Sequence, residues 1–111
     1  MPQNRRKLID LLIGNLSNVI IHEIMEKSTK NREVASHYKK EAENSLMLSK
    51  RYRSKINPIN TIFSKNDISY IKNKIANKVK SELRKRISQG YENIDLNLIE
   101  ELANKYLKES K

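Results

Sequence analysis

The segment from Leu8 to Ile24 places the strongest constraint on the fold, because it has too many apolar residues for one narrow helix face. Its isoleucines, leucines and valines recur at three- and four-residue spacing, which predicts a helix of about 20 residues. A stripe this broad needs more than one neighbour, either further helices of the same chain or a partner protein. The apolar positions are Leu8, Ile9, Leu11, Leu12, Ile13, Leu16, Val19, Ile20, Ile21 and Ile24.

A second helix with a narrower stripe follows after a short connection. Thr29 and Asn31 are candidate N-cap residues, and Asn57-Pro58 ends the helix because the residue before a proline is disfavoured in helical geometry. Small side chains let this helix lie close to the first, as an antiparallel hairpin. Its stripe consists of Ala35, Tyr38, Ala42, Leu46, Ser49 and Tyr52.

The second half of the chain predicts two more helices. Residues 57–66 have the turn residues of an irregular connection, with Phe63 expected to pack against the hairpin. Helical spacing of apolar residues then predicts a third helix over residues 68–88, capped by Asp67. Asp95 is predicted to cap a last helix that carries Leu98, Leu102, Ala103 and Tyr106.

These segments predict a mainly α protein, in which an N-terminal helical hairpin joins further helices in a small bundle. The hairpin takes residues 1–56, and a basic segment with the C-terminal helix takes residues 57–111 of the same single domain. A chain of 111 residues can bury only one modest core. The absence of cysteine excludes disulfides and thiolate zinc sites.

The apolar N-terminal run superficially resembles a signal peptide or a membrane span. Asp10, Asn15, Asn18 and His22 interrupt it, and it has no small-residue cleavage site. These interruptions are expected to make it too polar to cross a membrane. We therefore expect a cytoplasmic protein that does not bind membranes.

The excess of positive charge lies in the middle of the chain. Residues 1–49 contain 8 Lys or Arg and 6 Asp or Glu, residues 50–86 contain 12 and 2, and residues 87–111 contain 3 and 5. Such concentration indicates a polyanion-binding surface, and nucleic acid is the commonest polyanion. Phosphates need Lys and Arg, while unstacked RNA bases rest on aromatic rings such as Tyr70. The predicted RNA-binding residues are Lys39, Lys40, Lys50, Arg51, Tyr52, Arg53, Lys55, Lys78, Lys80, Arg84, Lys85 and Arg86.

The sequence predicts no catalytic or metal site. His22 and His37 lie in different helices without an acidic pattern around them, and no nucleophile or zinc motif occurs. The only glycines are Gly14 and Gly90, which excludes a glycine-rich phosphate loop. Close approach of another helix would be one reason to keep Gly14, and Gly90 is expected to end the third helix. We therefore expect no enzymatic activity, no metal and no cofactor.

The stretch "ASHYKKEAENSLMLSKRYRSKINP", residues 35–58, resembles the second helix and its exit in the archaeal RNase P protein component 4 family. The shared positions are Ala35, Tyr38, Ala42, Lys50-Arg51-Tyr52-Arg53, Lys55-Ile56 and Pro58, and the resemblance extends over residues 5–58. It implies a noncatalytic subunit of a ribonucleoprotein that removes the 5′ leader of precursor tRNA. The implied partners are structured RNA, either RNase P RNA or precursor tRNA, and another small protein subunit.

The family continues into a zinc ribbon, and there this chain departs from it. Ser64 and Asp67 stand where the first two cysteines would be, so zinc binding does not carry over. The alternative fold is accordingly a helical hairpin followed by a degenerate, metal-free ribbon over residues 64–95.

Two other functions remain open from the sequence. A DNA-associated chromatin or regulatory protein would use the third segment as a basic helix. A helical protein–protein interaction module would use the apolar stripe of the first helix, which is also the predicted surface for a second protein subunit. The predicted partner-binding residues are Ile9, Leu12, Ile13, Leu16, Ile20 and Ile24.

Overall fold

The computed structural model of the chain describes residues 5–56 and 64–109. These residues form four helices: α1 (Arg5–Ser28), α2 (Arg32–Lys55), α3 (Lys65–Ser88) and α4 (Leu98–Glu109). The predicted helical bundle is confirmed. The ribbon alternative is wrong, because α3 occupies most of its place and the described residues contain no β-strand. The predicted packing of Phe63 lies outside the described residues.

α1 is the central helix of the bundle. The other three helices all pack on it, and Leu12, Leu16 and Ile20 at its centre are completely buried. A helix that is apolar around most of its circumference must be covered on several sides, so this position explains the breadth of its stripe. The core is completed from α3 and α4 by Ile71, Ile75, Val79, Leu83, Ile99, Leu102, Ala103, Tyr106 and Leu107.

The structure corrects the predicted protein-partner surface on the first helix. All six of its residues lie in the core, with exposed fractions between 0 and 6%. Helices of the same chain cover them, so a second protein cannot reach them while the bundle is folded. These residues are Ile9, Leu12, Ile13, Leu16, Ile20 and Ile24.

α1 is also the one helix in the described part of the chain that is long and apolar enough to cross a membrane. Its polar residues do not make it too polar for that, contrary to the expectation from the sequence. However, 61% of its apolar 18-residue window is buried inside the bundle. A core helix meets the same criteria of length and composition, so these criteria alone are weak support for a membrane span.

The starts of the helices follow their capping residues. Asn31 caps α2, and its side chain accepts hydrogen bonds from the backbone N–H groups two and three residues further on, at 2.9 and 3.2 Å. Ser64, rather than the predicted Asp67, caps α3. The Ser64 hydroxyl accepts a hydrogen bond from the Asp67 N–H at 3.1 Å, so α3 begins at Lys65, three residues earlier than predicted.

α3 ends at Ser88, and Gly90 stops it just after the C-cap residue Gln89, as the sequence predicts. Gly90 has a φ of 103°, in the left-handed region that favours glycine. Its N–H donates to the carbonyl of Ile87 at 3.1 Å, and the N–H of Tyr91 donates to the carbonyl of Arg86 at 3.2 Å. These two bonds form a Schellman motif, which satisfies carbonyl groups at the end of the helix.

Contacts between helix ends define the directions of the first three helices. Arg5 and Asp67, in the first turns of α1 and α3, form an ion pair at 2.7 Å. α1 and α3 therefore run in the same direction. The ring centres of His22, near the end of α1, and Tyr38, near the start of α2, are 6.0 Å apart. α1 and α2 thus form the predicted antiparallel hairpin.

Gly14 lies on the side of α1 that no other helix covers. Apart from its own helix and chain neighbours, the only described atom near a Cβ at this position would be the Lys78 Nζ, at 3.8 Å. The prediction that another helix approaches closely at Gly14 is therefore wrong. What the glycine leaves room for is the end of a flexible lysine side chain.

Replacing Gly14 with Ala is expected to raise the free energy of unfolding by about 1 kcal/mol, because Ala favours helix and Gly does not. The contact at 3.8 Å leaves room for the added methyl group. Gly90→Ala is the control and should lower stability, because its φ of 103° strains any residue with a Cβ. Urea denaturation measures both. A loss of stability in Gly14→Ala would contradict the open surroundings of this residue.

Candidate nucleic-acid interface

α2 and α3 flank α1 and do not contact each other within the residues that the structure describes. This leaves α1 open along one side, with Lys78 of α3 and Tyr38 of α2 at its two borders. We call this side the α1 groove, with one wall from α2 and the other from α3. Its floor consists of half-buried or exposed residues at helical spacing: Lys7, Leu11, Gly14, Asn15, Asn18 and His22.

α3 forms a cationic wall of the α1 groove. Lys74, Lys78 and Lys85 are separated by four and seven residues, a spacing that places them on the same flank of a helix. All three are exposed, and none forms an ion pair with a described residue. By contrast, Lys72 pairs with Glu100 of α4 and Arg86 with Glu82, each at 3.3 Å. The three lysines therefore form a row of cations without carboxylate partners in the described structure. Glu82, four residues after Lys78, brings one carboxylate to the same flank, where it pairs with Arg86.

A recess in the α3 wall surrounds Tyr70, and we call it the Tyr70 cleft. The Arg6 guanidinium and the Lys74 ammonium each lie 5.8 Å from the centre of the Tyr70 ring. Tyr70 is half-buried and packs against the core. The cleft has a volume of about 600 Å³ and is lined by Arg6, Asp10, Ile13, Tyr70, Lys74, Asn77 and Lys78.

α2 forms an apolar and aromatic wall. Four of its residues share one flank by helical spacing: Val34, Tyr38, Leu48 and Tyr52. Val34 and Leu48 are 39% and 37% exposed, and both tyrosines are half-buried against the core. The groove therefore offers cations on one side and mostly flat or apolar side chains on the other, where Glu41 adds one carboxylate near His22.

His22 lies on the groove floor between the two walls. Partial burial lowers its pKa, and the nearby Arg86 and His37 side chains lower it further. The backbone carbonyl of Asn18 and the carboxylate of Glu41 oppose this shift without reversing it. Because its pKa is below the usual value near 6.5, His22 is mainly neutral at pH 7. It does not add to the positive charge of the groove.

The predicted RNA-binding residues of α3 occupy different sides of the helix. Lys78 and Lys85 lie on the groove wall. Lys80 lines a separate depression between α3 and α4, and the exposed Arg84 is four residues further along the same side. Arg86 is near the groove floor, since its charge lowers the pKa of His22, but it is held in its ion pair with Glu82.

The predicted residues of α2 are more dispersed. Lys39 lines a pocket between α1, α2 and α4 that also contains Glu23, Glu26 and Glu43. Tyr52 is half-buried on the groove side. Lys40, Lys50 and Arg51 are exposed, and helical spacing does not place them on the flank that carries Tyr38. Lys55 is also exposed and lies seven residues after Leu48, on the flank of the α2 wall.

Arg53 is a correction to the predicted RNA surface. Its side chain is buried, with only 6% of the residue exposed. Burial lowers the pKa of its guanidinium, and the positive charge of Arg5 lowers it further. Arg53 therefore belongs to the inside of the hairpin and does not face a ligand.

Sequence reasoning missed the combination of Arg6, Tyr70 and Lys74. The spacing of four residues between Lys74 and Lys78 could have added Lys74 to the predicted set. No sequence signal joins Arg6 to Tyr70, because their contact depends on the parallel packing of α1 and α3. In the described part of the chain, no three His, Asp or Glu side chains gather in a way that could hold a metal ion.

Comparison of the chain with protein-family models, with curated proteins and with solved structures gives no match. The resemblance of residues 5–58 to archaeal RNase P protein component 4 stays a prediction. The chemistry of the α1 groove is therefore the main indication of function.

Proposed function

We propose that this protein is a noncatalytic RNA-binding subunit of a ribonucleoprotein and that it holds RNA in the α1 groove. The observation that supports this most is the row formed by Lys74, Lys78 and Lys85. These exposed cations lie on one flank of α3 and have no carboxylate partner among the described residues. A phosphate backbone needs such a row, since neutralising phosphates releases counterions and supplies most of the affinity.

The shape of the groove favours RNA over duplex DNA. Tyr38 and Tyr52 on the α2 wall offer rings to unstacked bases, which structured RNA presents in its loops and bulges. A basic helix that reads duplex DNA places an exposed, convex face in the major groove. α3 instead packs on both α1 and α4, and its row of lysines borders a recess.

Within this class we propose a role like that of RNase P subunits, in 5′-leader processing of precursor tRNA in the cytoplasm. The support is the resemblance of residues 5–58, most of which form the α1–α2 hairpin. The catalytic centre would then belong to RNase P RNA, and the groove would bind that RNA or precursor tRNA. The apolar stripe of α1 is buried in the core, so a second protein subunit would have to bind elsewhere.

Replacing Lys74, Lys78 and Lys85 together with Gln tests the proposed RNA surface. We expect affinity for structured RNA to fall at least about tenfold at physiological salt, and the slope of log affinity against log salt to decrease by about two. The matched control replaces three exposed lysines outside the groove with Gln, and it should change affinity by less than about threefold. The control positions are Lys30, Lys105 and Lys108.

Filter binding at several salt concentrations measures both variants. Equal losses in the two variants would show that only net charge matters, and no loss in either would reject the groove as the binding surface. If duplex DNA competes for the protein as well as RNA does at fixed salt, the proposal that the ligand is RNA is contradicted.

The proposed RNase P role predicts faster cleavage of precursor tRNA when the protein is added to RNase P RNA. An unchanged rate would reject that role.

A further inference from the structure

We propose that the Tyr70 cleft binds one unpaired RNA nucleotide, with its base on the Tyr70 ring and its phosphate at Lys74 and Lys78. This inference rests on the proposed RNA binding and names the part of the RNA that the groove selects. The row of lysines alone would bind paired and unpaired RNA alike. The cleft adds a preference for an unpaired nucleotide whose base is not stacked on its neighbours.

The lining of the cleft contains more than a phosphate site requires. A phosphate alone needs cations, and Arg6, Lys74 and Lys78 provide them. Tyr70 adds a flat ring, while Asp10 and Asn77 add hydrogen-bonding groups that suit the edge of a base. The volume of about 600 Å³ is within the usual range for small-ligand clefts, so the cleft can hold a nucleotide.

The cation–π contacts on Tyr70 prepare the ring for a base. The Arg6 and Lys74 cations lie 5.8 Å from the ring centre, and packing against the core fixes the ring in place. A stacked base gains more from an aromatic ring than an exposed cation does. An entering base therefore displaces a cation from the ring, and the displaced cation can contact the phosphate of the same nucleotide.

Asp10 gives the cleft a preference among bases. Its carboxylate oxygens accept hydrogen bonds, and they can accept two at once. Guanine offers two adjacent donors, N1–H and N2–H, on its pairing edge, whereas the other bases offer one donor beside an acceptor. In a paired nucleotide this edge is already occupied. We therefore expect the cleft to select an unpaired guanosine.

Hairpin RNAs with one bulged nucleotide test the inference with the full chain. The wild-type protein should bind a hairpin with a bulged G about tenfold more tightly than the same stem without a bulge. Tyr70→Leu should lose this difference and keep its affinity for the paired stem. Tyr91→Leu is the matched control, since Tyr91 is 48% exposed and lies outside the groove, and it should keep the difference.

Two further variants separate stacking from folding and test the choice of base. Tyr70→Phe keeps the ring and should keep the tenfold difference even if Tyr70→Leu does not fold. Asp10→Asn should reduce the preference for bulged G over bulged A, C or U to less than about twofold. Fluorescence anisotropy measures these affinities.

Equal affinity of the wild-type protein for bulged and paired hairpins would overturn the inference and leave the proposed function standing, because the row of lysines explains binding to the stem. No affinity for either RNA would overturn the proposed function itself. A difference that survives Tyr70→Leu in a folded protein, or that is lost in Tyr70→Phe, would also overturn the inference.

Discussion

Replacing Leu16 with Ala is expected to lower the free energy of unfolding of the isolated chain by about 3 kcal/mol. Leu16 lies in the middle of α1 and has no exposed surface. The truncation removes apolar contacts and leaves a cavity, which the close-packed surroundings fill only in part. Because small domains are stable by only about 5–15 kcal/mol, this loss is a large fraction of the total. Urea denaturation followed by circular dichroism measures it.

Met47→Ala is the matched control for this experiment. Met47 is also an apolar residue in the middle of a long helix, but it is 61% exposed. Its truncation should change stability by less than about 0.5 kcal/mol. An unchanged stability in Leu16→Ala would contradict the assignment of the α1 stripe to the core. That result would restore the stripe as a partner surface, because an empty interface contributes little to the isolated chain.

The helices could be predicted from the sequence, but the elements that pack against α1 could not. The spacing of Ile71, Ile75, Val79 and Leu83 identifies the apolar face of α3, but periodicity does not identify the element that this face meets. The same limit applies to the stripe of α1, whose breadth fits a partner protein as well as three helices of the same chain. Only the packed structure separates these two possibilities.

The start of α3 had a signal that the sequence interpretation missed. Ser64 and Asp67 are both good capping residues, and Asp67 stands directly before the apolar pattern. However, Ser followed three residues later by an acidic residue is the pattern of a capping box, which places the cap at the Ser. The bond from the Asp67 N–H to the Ser64 hydroxyl agrees with that pattern.

The candidate site was predicted only in part. The distribution of charge along the chain does not show which side of the folded protein each basic residue faces. The count of basic residues identified the middle of the chain, and spacing could have separated Lys78 and Lys85 from Lys80 by helix flank. The Tyr70 cleft could not be found in this way, since Arg6 comes from another helix. Its position depends on the parallel arrangement of α1 and α3.

The burial of Arg53 could have been read from spacing. Residues at intervals of four, three and four follow one side of a helix, and on α2 this side faces α1. They are Ala42, Leu46, Ser49 and Arg53. The resemblance of residues 50–53, "KRYR", to a basic helix exit instead led to the prediction that Arg53 binds RNA.

Replacing Arg53 with Ala is expected to lower the free energy of unfolding by about 2 kcal/mol, because its buried aliphatic stem packs inside the hairpin. Arg51→Ala is the matched control. Arg51 is exposed on the same helix two residues away, so its loss should change stability by less than about 0.5 kcal/mol. Urea denaturation of the two variants distinguishes a packing residue from a surface charge.

Arg53→Met separates the stem from the charge. Burial lowers the pKa of the guanidinium, which means that the site disfavours the charged form. A flexible apolar side chain of similar length should therefore recover most of the stability lost in Arg53→Ala. A variant with Met as unstable as the one with Ala would show that contacts of the guanidinium itself dominate. In RNA-binding assays, a loss caused by Arg53→Ala should then follow the unfolded fraction and be absent where the variant is fully folded.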